Sequence, residues 1–405
     1  MTSRERVMTS LRFETPDRLP KDLGGMRSSG ISAFAYPKLV AALGLRPRRP
    51  RVYDTWQMLA LPEPDVLDAL GVDVVTVHGG VTNAYDQSEL WREYDFGGRL
   101  PALVRDPAGF AVAPDGTILQ GPVRMPPHSH VFDEEHAGQP LVLDGPLPQP
   151  DLREIREALA KRETTDEDVR AMTAVCRRAR ESSPRAVFLD YWPAIPGMSL
   201  GGHGGIGVFP ILCLTEPDYV KELHQIEIEH TLRNLSRLLP EIAPYIDVLM
   251  TAADDWGMQS GLLASPETYR ELFKPYYRQV NDLSHRLAPQ VKTFMHNCGA
   301  IYDLLDDIAD SGFDVLNPVQ WSAGERSPAE WKRRAGRRLA FWGGGVNSQV
   351  TLPRGREADV EAEVKAVVPV LASGGGYVFC NIHNILAEIA PQNVTALYRA
   401  ADETG

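Results

Sequence analysis

Eight short apolar runs, most followed by helical periodicity, constrain this chain more than any other feature. They are Asp17–Leu23, Val72–Val77, Ala186–Asp190, Ile246–Thr251, Val291–Met295, Phe313–Leu316, Leu339–Trp342 and Tyr377–Cys380. Runs that stay apolar rather than alternate suit strands covered on both faces, as in parallel sheets. Helix starts can be read between them: Thr165 with Asp168, Ser265 with Pro266, and Ser327 with Glu330. Strand–helix units in this number predict an α/β fold, a (β/α)8 TIM barrel formed as a single domain over residues 1–405. A doubly wound open sheet is the alternative. From Trp91 to Leu143 the pattern shifts to short runs broken by Gly97-Gly98 and Asp115-Gly116. That change predicts an antiparallel β insertion, residues 91–145, after the second strand.

The barrel is preferred because polar residues follow so many strand ends, and a barrel enzyme works at that rim. These residues are His78, Asp254-Asp255, His296, Asn317, Asn347 and His383. His78, Asn317, Gln320 and Asn347 are the candidates for substrate binding. In extended backbone, positions i and i+2 point the same way, so His296 and Cys298 can converge, and Gly299 lets the chain turn aside. Cys380 ends the last apolar run. One imidazole and two thiolates at strand ends make a three-ligand zinc set with a position open. Asp254-Asp255 directly after a buried strand incurs desolvation and mutual repulsion. Capping or a loop hydrogen bond is the structural reading; orienting a zinc ligand or substrate is the functional one. His383, three residues after Cys380, can reach the same pocket as a donor or general acid.

Other motifs read as structure. Cys176 and Cys213 have apolar helical neighbours and belong in the core, and His224 and His230 lie mid-helix. His128, His130 and His136 fall in the insertion and are read as part of it rather than as a second metal site. Gly201–Gly207 lacks the strand-to-helix context of a dinucleotide fingerprint and predicts a flexible rim loop. A net charge of −12 argues against nucleic acid as the main partner and suits a polycarboxylate substrate poorly. No apolar run approaches the roughly 20 residues of a membrane helix. Met1–Val7 lacks the apolar core of a signal peptide, so a cytoplasmic protein is expected, with thiols reduced.

Five segments carry a family resemblance: Arg12–Pro20, Asp254–Glu267, His296–Ile301, Asp314–Gln320 and Gly375–Asn384. On them the chain resembles the uroporphyrinogen decarboxylase superfamily and, within it, the zinc-dependent, corrinoid-linked methyltransferases. The resemblance implies zinc on His296, Cys298 and Cys380 of the barrel; Asp254, Asp255 and His383 are the catalytic candidates read from the residues themselves. It implies methyl transfer between a small molecule, as in O-demethylases or coenzyme M methyltransferases, and a corrinoid (cobalamin). The chain has no Asp-x-His-x-x-Gly corrinoid signature, so the cobalamin is expected on a separate protein docking at the rim. An O-methyl and a thiol substrate both stay open, and a homo-oligomer is compatible with the reading. The decarboxylase branch grips its substrate with an Arg-rich loop, whereas Gly24–Gly30 holds only Arg27. A metal-independent decarboxylase and a non-catalytic ligand-binding barrel are the rival readings.

Overall fold

Seven of the apolar runs become strands of one curved sheet in a computed structural model that describes residues 1–133, 145–191, 194–198 and 201–404. The strands are β1 (Val74–His78), β2 (Val81–Thr82), β3 (Ala186–Leu189), β4 (Val248–Asp254), β5 (Lys292–Asn297), β6 (Val315–Asn317), β7 (Ala340–Trp342) and β8 (Tyr377–Val378). They lie in the order β2-β1-β3-β4-β5-β6-β7-β8, all parallel except β2, which folds back on β1. The first run, Asp17–Leu23, joins the sheet's two sides through backbone hydrogen bonds, reinforced by Arg18 on Asp73. Phe379 N–H donates to Pro20 O at 2.9 Å and Asp22 N–H to Phe379 O at 2.8 Å. On the other side, Asp73 N–H donates to Lys21 O at 2.8 Å.

Strand alternation sorts the core into an inside and an outside. Val74, Phe188, Met250, Phe294, Trp342 and Val378 pack in one interior cluster. Val75, Leu249, Phe341 and Phe379 belong to a second, which includes helical residues such as Leu223, Val280 and Leu397. Phe188, Phe294 and Trp342 meet edge to face at 4.9–5.6 Å between centroids and fill the barrel axis. Beneath them lies a helix not expected from the sequence, Ser3–Leu11, whose Val7 and Leu11 join the interior cluster. Arg6 pairs with the buried Asp73 at 2.6 Å and Arg4 with Asp247 at 2.8 Å, so the residue preceding β1 and the one preceding β4 anchor this floor. Its one sequence signal is the Thr2–Glu5 capping box.

β4 runs to Asp254, the strand end expected at Asp254-Asp255, and stays paired with β5 as far as Asn297 across a register shift between Met250 and Ala252. One segment departs from expectation. Gly201–Gly207 is not a flexible loop. It forms a short 3-10 turn, Gly201–His203, followed by the helix Gly205–Thr215, which buries Val208, Phe209 and Leu212. Within 91–145, residues 92–94 pair antiparallel with 102–104, and 110–112, 118–120 and 123–125 form a second antiparallel sheet. Residues 134–144, with His136, lie outside the described residues. Among the described residues no helix is long and apolar enough to cross a membrane.

Candidate functional site

The end of β5 sets the geometry. Phe294 faces the interior, so His296, two residues on, faces it too, one layer nearer the rim. Asn317 is its register partner on β6 and accepts from His296 Nδ1 at 2.6 Å. Asn317 Nδ2 is itself committed to Trp342 O at 2.8 Å. With the amide fixed that way, its oxygen faces Nδ1, which carries the proton and leaves the Nε2 lone pair free. Nε2 lies 3.2 Å from Cys298 Sγ and 3.3 Å from Ser28 Oγ.

Cys298 is held by a crossing of two backbones. Gly257 N–H donates to Cys298 O at 3.0 Å, and Ala300 N–H to Met258 O at 2.8 Å. Gly299, at φ +88°, presses so closely on this crossing that a Cβ there would lie 2.0 Å from Gly257 O. Only glycine satisfies both conditions. Gln320, expected to bind substrate, instead accepts from Gly299 N–H at 2.9 Å and buttresses the turn.

The third member of the cluster is His383. The ligand atoms of His296, Cys298 and His383 all lie within 4.8 Å of one another, the one such group among the described residues. Asp255 stands beside the cluster, with its Oδ1 3.9 Å from His296 Nε2. Cys380, expected as the third ligand, stands outside the group. Two residues beyond Val378, Cys380 joins the same interior cluster that His296 faces, with Trp342 and near the buried Asp22. Burial pushes both His296 and His383 down to about 4, so both rings are neutral at neutral pH. Burial, reinforced by Asp255, pushes the Cys298 thiol well up. A bound cation would reverse that balance and favour the thiolate. Two neutral imidazole nitrogens and a thiol beside a carboxylate suit zinc.

The other candidates take supporting places. Asp254 is buried and accepts from the Tyr277 hydroxyl; burial pushes it up to about 7 against that bond. His78 stands beside Asp190, with Nδ1 at 3.5 Å from Oδ2, and Asp190 also accepts from Arg27. Asn347, expected to bind substrate, is occupied in capping Gln349 and Val350 N–H groups at 2.9 and 3.1 Å. Sequence reasoning did not single out Asp22, Ser28, Asp190 or Tyr277. Asp22 accepts from Ser29 Oγ, Gly25 N–H and Trp342 Nε1 at 2.6–2.8 Å, and so shapes the loop that carries Ser28 to His296. The position of Asp190 at the end of an apolar run was its available signal.

Residues 200–404 match the uroporphyrinogen decarboxylase (URO-D) family. Among curated proteins, the methylcobamide:CoM methyltransferase MtaA of Methanosarcina barkeri is 31% identical over 146 residues, 35% of this chain and 38% of that one. A uroporphyrinogen decarboxylase of Idiomarina loihiensis is 27% identical over 186 residues, 43% of this chain and 47% of that one. The chain therefore spans less than half the length of either relative. Among solved structures, a methyltransferase from Methanosarcina mazei superposes with a TM-score of 0.55 at 18% identity, covering 100% of this chain and 99% of that one.

Proposed function

Because the chain belongs to the uroporphyrinogen decarboxylase family, we propose that its rim cluster is a zinc site for methyl transfer. The methyl group moves between a small O-methyl or thiol substrate and a corrinoid carried by a separate protein that docks on the rim. The proposal treats the chain as one barrel domain into which residues 91–145 are inserted. The observation that supports it most is the orientation of His296. Asn317 fixes the proton on Nδ1, and Nε2 is thereby presented to Cys298 Sγ. The MtaA relatives, methyltransferases by name, add weight.

When bound, zinc supplies Lewis acidity toward the heteroatom that carries the methyl group. His296 and Cys298 would be two of its ligands, and His383 would take the third place. Asp255, beside the cluster, can accept the Sγ proton that ligation would release. Asp254, tied to Tyr277, steadies the end of β4 beneath it. The decarboxylase reading gains little from the loop that would grip carboxylates, because the Arg27 guanidinium is paired with Asp190 at 3.1 Å. The test is elemental analysis of tag-free protein beside a methyl-transfer assay with and without a corrinoid protein. The expected result is about one zinc per chain and no turnover by the chain alone. Turnover without any corrinoid would overturn the proposal.

A further inference from the structure

A cavity of about 510 Å³ opens between the helices Pro328–Ala335 and Glu357–Ala372, lined by Ala329, Lys332, Arg333, Pro369, Val370 and Ser373. It lies toward the floor of the barrel, at the end opposite the rim cluster. Lys332 Nζ donates to Gly375 O at 2.7 Å, and Gly376 N–H donates to Ser10 O of the floor helix at 2.7 Å.

The charges around this cavity do not balance. Arg6, Lys21 and Arg180 are also drawn out of water, and each meets a carboxylate, on Asp73, Asp402 and Asp247. Lys332 is half-buried and, among the described residues, meets a carbonyl instead, with its ammonium 5.9 Å from the Phe341 ring centroid. Burial, with the Arg337 charge added, pulls Lys332 down to about 8. Arg337 lies over the Phe13 ring at 5.4 Å. Arg334 and Arg338, on the same stretch, are spoken for by Asp303, Asp306 and Asp310. Glu14, whose backbone passes Gly375, is paired with Arg12 at 3.2 Å. No aspartate or glutamate lines the cavity. Lys332 and the exposed Arg333 therefore face it with their charges uncompensated.

The net charge of −12 does not decide the matter at this range. At physiological salt, exposed charges more than about 8 Å apart are largely screened. An anion in the cavity responds to the cations that line it rather than to distant acids.

We infer that this cavity is a site for a phosphate-type dianion, free or as the monoester of a small apolar group. Two cations balance its charge, and its several oxygens can take the Lys332 ammonium, the Arg333 guanidinium and the Ser373 hydroxyl together. Ala329, Pro369 and Val370 supply an apolar wall for an ester group. The inference stands apart from the methyl-transfer reading, because none of these residues belongs to the rim cluster.

The test is calorimetric titration and thermal melting of the full chain at pH 7 and constant ionic strength. Inorganic phosphate and phenyl phosphate are the probes, and sodium chloride is the control. At least one probe should bind in a single saturable step and raise the melting midpoint, and chloride should do neither. Tighter binding of phenyl phosphate identifies a monoester as the ligand; equal or tighter binding of inorganic phosphate identifies the free anion. Arg333→Gln, at an exposed position and so with little effect on folding, should weaken binding at least about ten-fold, the scale of one lost bond to a charged group. Lys332→Met, which keeps the apolar stem, should do the same while zinc content is unchanged. If neither probe binds saturably, the inference is overturned. Binding that a folded Arg333→Gln retains in full places the anion elsewhere, the rim cluster included, and overturns it as well.

Discussion

At the scale of single residues, the site depends on which side chains the backbone has already claimed. His296 and Cys298 were legible because a strand's two-residue period puts them on one side whatever the rest of the chain does. Their partner was not. Cys380 and His383 are three residues apart after the same strand, and the sequence does not say which stands within 4.8 Å of His296 and Cys298; in the structure His383 does. Likewise nothing in the sequence shows that the Gln320 and Asn347 amide oxygens accept backbone N–H groups. Cys298→Ala should lose zinc and methyl transfer yet stay folded, because the ligands lie at the rim and the interior packs without them. A stability loss of about 0.5–3 kcal/mol is expected, read by thermal melting beside metal analysis. An unfolded Cys298→Ala would make the metal structural. By the present geometry His383→Ala sheds zinc and Cys380→Ala keeps it; the reverse result would return the third place to Cys380.

Elements add constraints that single residues do not show. The helix starts at Thr165, Ser265 and Ser327 were readable because capping is local chemistry, and each side chain accepts the N–H expected of it. Gly201–Gly207 misled because its glycine content hid a helix whose stability comes from burying Val208, Phe209 and Leu212. The crossing of Gly257 and Gly299 makes the turns after β4 and β5 a single unit. Gly299→Ala combines a disfavoured φ with a direct clash, so a loss of at least about 1–3 kcal/mol is expected, accompanied by lost zinc. A variant with normal melting and full zinc would contradict this. Among the helices, His224 sits wholly buried beside Phe273 and Tyr276 and donates from Nδ1 to Leu272 O at 2.6 Å. Burial lowers it from 6.5 to about 4. The unfolded chain therefore binds the extra proton between those values, and stability falls as pH drops through that window, by roughly 3 kcal/mol at most. His224→Leu gives up the bond to Leu272 but not to acid. Its stability deficit at pH 8 should narrow toward pH 4 in chemical denaturation, and a constant deficit would rule out this account.

On the scale of the whole molecule, the barrel was legible because eight apolar runs recur in one dimension, whereas its closure was not. The link through Pro20–Asp22 rests on backbone hydrogen bonds that no residue type announces, and the floor helix Ser3–Leu11 offers a thin apolar stripe with one capping signal. That floor has a kinetic consequence. With Val7 and Leu11 packed at one end and Phe188, Phe294 and Trp342 filling the axis, described residues close the floor side of the interior. On the proposed methyl-transfer function, a small methyl donor and a bulky corrinoid protein would both approach the cluster from the rim, and whichever arrives first would decide whether the other gets in. If the protein docks first, it shuts the small molecule out. Excess corrinoid protein should therefore inhibit its own reaction, and added small substrate should relieve the inhibition. Initial rates that keep rising to saturation with the carrier, whatever the substrate level, would show that the two do not queue.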